Sequence, residues 1–208
     1  RTWLMELKSY NGWPASQDQA EIGIKSYKVE GTQMKLRCAQ KVAPLLIGFA
    51  AEFHHLIEPL DVGSLDDWGY AYRDVRGVPG KLSNHASGTA IDLNSSRHKL
   101  GQVGTFAEGE VPMLMALAKK YGLTWGGTWT RPDPMHFEIS IGPAKVAALI
   151  TKLGLEKSEY MKKQLKAAAL SYLRAALSCV GALYLSGISD PQVLANAFIA
   201  GLIGPLLK

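Results

Sequence analysis

The sequence predicts an α+β fold that is followed by an α-helical hairpin. Short strand-like and helix-like segments follow one another without the regular strand–helix alternation that a parallel sheet requires. The composition then changes near Glu156, after which Ala, Leu, Ile and Gly dominate two helical segments. We therefore place a boundary there, with a first domain over residues 1–156 and a helical hairpin over residues 157–208.

The size and composition of the chain fit a globular domain with an appendage. Hydrophobic residues make up 47% of the 208 positions and charged residues 20%, which excludes the collagenous, disordered and disulfide-scaffold classes. The net charge of +5 is spread along the chain without a basic block, so we expect no nucleic-acid partner. Cys38 and Cys179 lie in apolar patterns and are predicted to be buried thiols of a chain made in a reducing compartment.

The first half of the chain is predicted to alternate between strands, a helix and a loop. Residues 34–38 alternate apolar and basic side chains as a strand does, and residues 39–57 carry apolar side chains at helical spacing. Residues 68–74 are aromatic and alternating, which favours a second strand. Residues 75–84 are rich in glycine and proline and predict a loop, and residues 89–94 then fit a short strand.

The second half is predicted to contain a helix, two strands and three further helices. The first helix covers residues 111–121 and is followed by short strands in LTWGG and MHFEIS. A helix opened by Pro143 covers residues 142–154. The hairpin helices are predicted over residues 158–185 and 190–207, with the turn SGIS between them.

Two of the five histidines have an acid at a defined spacing. Asp92 follows His85 by seven residues, and Asp133 precedes His136 by three. A zinc hydrolase needs three imidazole or carboxylate ligands, an open position for water, and a separate carboxylate that takes the proton of that water. These four side chains can fill those roles, although on spacing alone an ordinary structural role stays open as well.

The motifs around these residues carry a family resemblance. SNHASGTAID matches every defined position of SxHxxGxAxD, and DPMH matches the acid-x-x-His motif that follows it in the zinc peptidases grouped with D-Ala-D-Ala metallopeptidases, lysostaphin-like enzymes and the hedgehog domain. The resemblance covers roughly residues 33–141. It implies a small antiparallel sheet flanked by helices, one Zn²⁺ bound by His85, Asp92 and His136, and Asp133 as the general base.

The run WGGTW most resembles the L-alanyl-D-glutamate endopeptidases of phage endolysins. This resemblance implies a peptidoglycan-degrading zinc endopeptidase, which cleaves the L-Ala–D-Glu bond of the stem peptide by metal-activated water. Three alternatives stay open: a D-Ala-D-Ala carboxypeptidase, a non-catalytic wall-binding virion component, and a membrane-permeabilising protein. The expected partner is the stem peptide of bacterial peptidoglycan.

Further site residues are predicted around this centre. Arg73 falls where the family carries an arginine that can hold an oxyanion or a substrate carboxylate, but the sequence departs from the commoner SGYR form, so Arg76 is a competing candidate. Glu138 would share a strand face with His136 and is a second candidate for the base. Substrate binding is predicted for three residues, each with a structural alternative in a turn cap or the core: Ser83, Trp125 and Trp129.

The hairpin and the first residues give expectations about location. Residues 175–189 and 191–207 carry no charge and place small side chains four apart, which favours close helix packing. Both runs are shorter than the roughly twenty residues that span a bilayer comfortably, so packing or self-association through residues 157–208 is favoured over membrane contact. Residues 1–17 do not resemble a signal peptide, so we expect synthesis in a bacterial host cytoplasm and action on the cell wall after release.

Overall fold

The computed structural model describes residues 7–60 and 65–203, with the side chains of 157–168 and 203 left out. The chain divides into two compact units, residues 1–155 and residues 156–208. Within the described residues, short antiparallel sheets combine with helices in the first unit, and the last two helices form a hairpin. The predicted α+β fold with a helical hairpin is therefore confirmed.

The first unit begins with a two-stranded antiparallel sheet and a helix. Strand β1 (Ile24–Lys28) pairs with β2 (Lys35–Ala39), and helix α1 (Ala43–Leu56) follows directly. In β2 the side chains of Leu36 and Cys38 are buried while those of Lys35 and Arg37 are exposed, which is the alternation that predicted the strand. The sequence did not indicate β1, which has no fully buried side chain.

Residues 75–84 were predicted as a loop, and that prediction is wrong. They contribute to a hairpin in which β3 (Asp74–Val75) pairs with β4 (Val78–Leu82). Gly77 lies in the turn with φ of +85°, a conformation that only glycine adopts without strain.

Residues 68–74, predicted as one strand, do not form a regular ladder. Trp68 forms a single bridge with Asp92, the amide of Tyr70 donates to the carbonyl of Arg37, and the amide of Ala71 donates to the carbonyl of His85. The segment is extended because its successive residues form backbone hydrogen bonds with three different parts of the chain. Its aromatic alternation therefore reflects several partners and not one neighbouring strand.

A three-stranded antiparallel sheet lies at the centre of the first unit. Its strand order is β5 (Ala90–Asp92), β7 (His136–Ile139) and β6 (Leu123–Trp125). Helix α2 (Glu110–Lys120) precedes β6, and α3 (Pro143–Lys152) follows β7. Two single-turn 3₁₀ helices flank the sheet strands, Asn84–Ser87 before β5 and Gly126–Thr128 after β6.

The hydrophobic core lies between this sheet and α1. Phe49 and Phe53 of α1 pack against Phe137 of β7, with ring centroids 4.7 Å and 5.8 Å from it. All three rings are fully buried. Since strand side chains alternate between faces, a core-facing Phe137 sends its neighbours His136 and Glu138 to the opposite face.

The second unit contains α4 (Leu155–Leu185) and α5 (Pro191–Ile203). The two helices approach closely at Gly201, where an added Cβ would lie 2.5 Å from the Cα of Ala176. Cys179 is exposed, so its predicted burial is wrong, whereas Cys38 is buried as predicted. In a pair of helices only one face of each helix is covered, so Cys179 can be exposed even though its neighbours in the sequence are apolar.

Membrane-spanning helices were sought among the described residues, and none of those helices combines the length and the apolar character that a span requires.

Candidate metal centre

Asp92 and His136 are brought together by strand register. They lie directly opposite each other on β5 and β7, and opposite residues of an antiparallel pair point to the same face. Asp92 Oδ1 is 2.9 Å from His136 Nδ1. Although Asp92 and His136 are 44 residues apart in the chain, the pairing makes them neighbours.

His85 reaches the same point from the 3₁₀ helix Asn84–Ser87. Ser83 caps this turn, because its side chain accepts a hydrogen bond from the amide of His85 at 3.3 Å. Gly88 ends the turn in the left-handed region with φ of +65°, and a Cβ there would lie 2.7 Å from the amide nitrogen of Ala39. The chain therefore doubles back at Gly88 and returns along β5 towards His85.

The three donor atoms have the spacing that a zinc ion requires. His85 Nε2 is 3.1 Å from both Asp92 Oδ1 and His136 Nδ1. Zinc–ligand bonds of about 2.0–2.2 Å in a tetrahedron place neighbouring donors about 3.3 Å apart, so a small outward shift would admit the ion. All three side chains are buried, and together they form a group that could hold one metal ion.

Outer hydrogen bonds orient both imidazoles. His85 Nδ1 lies 2.7 Å from the carbonyl oxygen of Gly69, which can only accept, so Nδ1 carries a hydrogen, and in the neutral imidazole Nε2 keeps its lone pair for a metal. His136 Nε2 lies 2.9 Å from Glu138 Oε2. Such partners fix the tautomer of a metal-binding histidine and raise its basicity.

Charge coupling shifts the ionisation of Asp92 and His136. Burial by itself would raise the pKa of Asp92, but the charge of His85 and hydrogen bonds from both imidazoles outweigh it and hold this pKa well below its usual range. Burial by itself would lower the pKa of His136, but hydrogen bonds to Asp92 and Glu138 raise it to about 9. Without a cation, a proton on His136 therefore balances the carboxylates of this centre.

Asp133 and Glu138, the two candidates for the base, are in different situations. Glu138 Oε2 is occupied, because it accepts from Asn84 Nδ2 at 2.6 Å and lies 2.9 Å from His136 Nε2. Asp133 Oδ1 is buried and has no hydrogen-bond partner among the described residues. Burial raises the pKa of Asp133, against the lowering effect of His136. An unpartnered carboxylate oxygen beside the cluster has the geometry expected of a proton acceptor.

Gly126 determines where Asp133 lies. The amide of Asp133 donates to the carbonyl of Gly126 at 2.9 Å, and a Cβ on Gly126 would lie 2.6 Å from the carbonyl oxygen of Asp133. The same Cβ would lie 3.3 Å from the Cβ of His136. The first glycine of WGGTW is therefore needed because two site residues approach its backbone closely.

The cluster opens onto a cleft of about 570 Å³. Trp129 forms part of its wall, with 38% of its surface exposed and its ring centroid 5.3 Å from that of His136. Three arginines also line the cleft: Arg73, Arg76 and Arg131. Within the described residues none of these arginines forms an ion pair with a carboxylate, although Asp92, Asp133 and Glu138 line the same cleft.

The predicted substrate-binding residues differ in their placement. Ser83 lines the cleft but also caps the turn of His85. Trp125 packs against the core, with its ring centroid 5.7 Å from that of Phe106 and its Nε1 donating to the carbonyl of Pro134. The position of Trp125 therefore gives no support to a role in substrate binding.

Some residues of the centre were missed by sequence reasoning. Asn84 occupies an unspecified position inside SxHxxGxAxD, and Asn11 lies in a stretch without periodicity. Arg131 carries no signal beyond its place between WGGTW and DPMH. Asn84 donates to Glu138 and accepts from the amide of Asn11, and both hydrogen bonds span long sequence separations. Arg131 belongs to the centre only because it lines the cleft.

Comparison with known proteins supports the interpretation of this cluster as the centre of a metallopeptidase. Residues 76–139 match the model of a protein family described as D-alanyl-D-alanine carboxypeptidase. No curated protein and no solved structure matches the chain significantly. The match covers β4 to β7 and includes all three residues of the cluster. Match and cluster together indicate a metallopeptidase.

Proposed function

We propose that this chain is a zinc endopeptidase of bacterial peptidoglycan that cleaves the L-Ala–D-Glu bond of the stem peptide. One observation carries the proposal: the buried cluster of His85, Asp92 and His136 faces a cleft beside a carboxylate oxygen of Asp133 that has no partner among the described residues. The family match over residues 76–139 supports action on peptidoglycan.

The residues of the site would have separate roles in peptide hydrolysis. His85, Asp92 and His136 would hold the zinc ion, which supplies a Lewis acid for the substrate carbonyl and lowers the pKa of water. Asp133 would take the proton of the attacking water and pass it to the leaving amine. A raised pKa suits this role, because the carboxyl must both accept and release a proton during one turnover.

The arginines of the cleft suit an anionic substrate. Arg73 would stabilise the developing oxyanion or bind a substrate carboxylate. Arg76 and Arg131 line the same cleft and add to its positive charge. The stem peptide carries free carboxylates, so this cleft supports a peptide of that class over a neutral one.

A D-Ala-D-Ala carboxypeptidase is the second candidate, since the matching family is described by that activity. Digestion of purified peptidoglycan followed by mass spectrometry of the muropeptides separates the two. A free amino group on D-Glu supports the endopeptidase, and loss of one terminal alanine supports the carboxypeptidase. His136→Ala and a chelator-treated sample serve as controls, and both should be inactive.

We also propose a role as a phage endolysin, which the resemblance of WGGTW supports. Zymography on purified walls tests for lytic activity directly. A chain that binds walls but releases no fragments with zinc present would instead be the non-catalytic virion component. Dye leakage from liposomes that survives His136→Ala would favour the membrane-permeabilising alternative.

We also propose that the helical hairpin mediates self-association. Large apolar side chains of the described hairpin residues are exposed, among them Leu177 at 56% and Leu185 at 88%. Burial of such surface stabilises an assembly by about 25 cal/mol per Å² before the losses of association are subtracted. Membrane contact is the alternative, and binding to liposomes by a monomeric chain would favour it.

A further inference from the structure

A chain of hydrogen bonds connects the N-terminal segment to a metal-binding histidine. The backbone amide of Asn11 donates to Asn84 Oδ1 at 2.7 Å, and Asn84 Nδ2 donates to Glu138 Oε2 at 2.6 Å. The same oxygen of Glu138 lies 2.9 Å from His136 Nε2. Three contacts thus lead from the backbone of Asn11 to the imidazole of His136.

The backbone amide of Asn11 determines the direction of every hydrogen bond in this series. A backbone N–H can only donate, so Asn84 must present its carbonyl oxygen to Asn11 and its NH₂ group to Glu138. Glu138 Oε2 then accepts from Asn84 and also from His136, whose hydrogen must lie on Nε2. In the neutral imidazole this leaves the lone pair on Nδ1, the atom that lies 2.9 Å from Asp92 Oδ1 and 3.1 Å from His85 Nε2.

Asn11 is itself held against the two strands that carry ligands. Its side-chain NH₂ group donates to Thr89 Oγ1 at 2.9 Å, next to β5, and to the carbonyl of Ile139 at 3.1 Å, at the end of β7. Ser9 Oγ donates to Asn11 Oδ1 at 2.7 Å. The position of the Asn11 amide is therefore fixed relative to both strands, and it cannot easily turn away from Asn84.

We propose that Asn84 is a positioning residue for zinc binding, with Asn11 as its anchor, and that together they make His136 present Nδ1 to the metal. The inference rests on the proposed function only in requiring that the centre bind zinc. Asn11 lies outside the matched region 76–139, so the N-terminal segment supplies part of the metal centre from beyond that region.

Asn84→Asp tests the proposal most directly. The substitution keeps the shape of the side chain but replaces the NH₂ donor by an oxygen, which would face Glu138 Oε2 across a 2.6 Å contact. Loss of an outer partner of a metal-binding histidine weakens metal binding by about 10- to 100-fold. We expect a loss of that size in zinc affinity, measured by competition with a chromogenic chelator at fixed pH.

Asn94→Asp is the matched control. Asn94 is buried like Asn84, and its Nδ2 also donates to a glutamate, Glu58 Oε2, at 2.9 Å. Glu58 contacts none of the three ligands, so this change should lower stability and leave zinc affinity within about twofold of the wild type. The pair of variants separates a general effect of a new buried carboxylate from an effect on His136.

Nitrogen-15 NMR of the zinc-bound protein gives a second measurement that a merely structural residue would not change. The wild type should show His136 protonated at Nε2 and metal-bound at Nδ1. In Asn84→Asp we expect this signal to broaden or to be replaced in part by the other tautomer. Should Asn84→Asp not fold, Asn11→Ala decides, with an expected loss of about threefold to tenfold in zinc affinity.

Two results overturn the proposal. The first is a folded Asn84→Asp, or Asn11→Ala, with wild-type zinc affinity and an unchanged His136 tautomer. The second is a wild-type chain that binds no zinc, which removes the proposed function as well. If the wild type binds zinc and degrades walls while the variants keep full affinity, only the positioning role fails.

Discussion

The affinity of the centre for zinc should depend steeply on pH, because a proton competes with the metal for His136. Hydrogen bonds to Asp92 and Glu138 outweigh burial and raise the pKa of His136 to about 9 in the metal-free chain. Zinc needs the lone pair of Nδ1, so the proton that His136 carries below this pH must leave when the ion binds. A change of pH, without any substitution, is therefore enough to change the zinc affinity.

The magnitude follows from that pKa. Well below pH 9 an obligatory proton release raises the apparent affinity tenfold per pH unit, and the slope flattens as the pH approaches the pKa of His136, so we expect a rise of about 50-fold between pH 7 and pH 9. A histidine with an ordinary pKa near 6.5 would be deprotonated over this whole range. Its zinc affinity would then be nearly constant from pH 7 to pH 9.

Chelator competition at several pH values measures this slope, and calorimetry in buffers of different ionisation enthalpy counts the released protons. We expect release of about one proton at pH 7 from His136. Glu138→Gln is a useful comparison, because it removes one of the two carboxylates that raise this pKa and should reduce the slope. A constant affinity from pH 7 to pH 9, with no proton release at pH 7, would show that zinc displaces no proton from His136.

The same shift predicts how the stability of the metal-free chain depends on pH. The folded-state pKa of His136 lies above the unfolded value, so its stabilising contribution is complete below about pH 6.5 and is lost as the pH rises through 9. The raised pKa of His136 corresponds to a loss on the order of a few kcal/mol of unfolding free energy over this range. Urea unfolding of the chelator-treated protein should show this decline, and added zinc should remove it.

Three further predictions test the base, the close backbone approach and the hairpin. Asp133→Asn should lower kcat by about 10²- to 10⁴-fold with zinc content unchanged, and near-normal turnover would exclude Asp133 as the base. Gly126→Ala should reduce activity at least tenfold by displacing the Asp133 carbonyl, whereas Gly109→Ala, with nothing within 4 Å of its added Cβ, should be neutral in the same assay. Leu177→Lys combined with Leu185→Lys should shift the wild-type assembly towards monomer in sedimentation velocity, and identical sedimentation of both chains would remove the self-association proposal.

The ligand set was predicted from the family resemblance of two motifs, and each motif also encodes local geometry. SxHxxGxAxD combines a capped turn, a left-handed glycine at Gly88 and a short strand, and each part limits where His85 and Asp92 lie. The acid-x-x-His motif likewise places Asp133 one turn before the strand that begins at His136. Short-range rules of turn and strand conformation limit each motif by itself, whereas the meeting of the two motifs was expected from the family resemblance.

Other parts of the fold were not predictable from local pattern. Asn11 and Asn84 are 73 residues apart, and nothing in either neighbourhood indicates that they meet. The hairpin of β3 and β4 was hidden because glycine and proline favour loops and hairpin turns alike. Tertiary contacts determine both of these features, and the local pattern of a single sequence does not predict such contacts.

The register of β7 explains why the core and the candidate centre depend on each other. Phe137 enters the core against Phe49, while His136 and Glu138, the residues before and after it, turn towards the cleft. A slip of one residue against β5 would place Phe137 opposite Asp92 and turn both polar side chains into the core. Burial of three aromatic rings therefore fixes the same register that aligns His136 with Asp92, so the hydrophobic packing of α1 on the sheet also specifies the spacing of these two candidate zinc ligands.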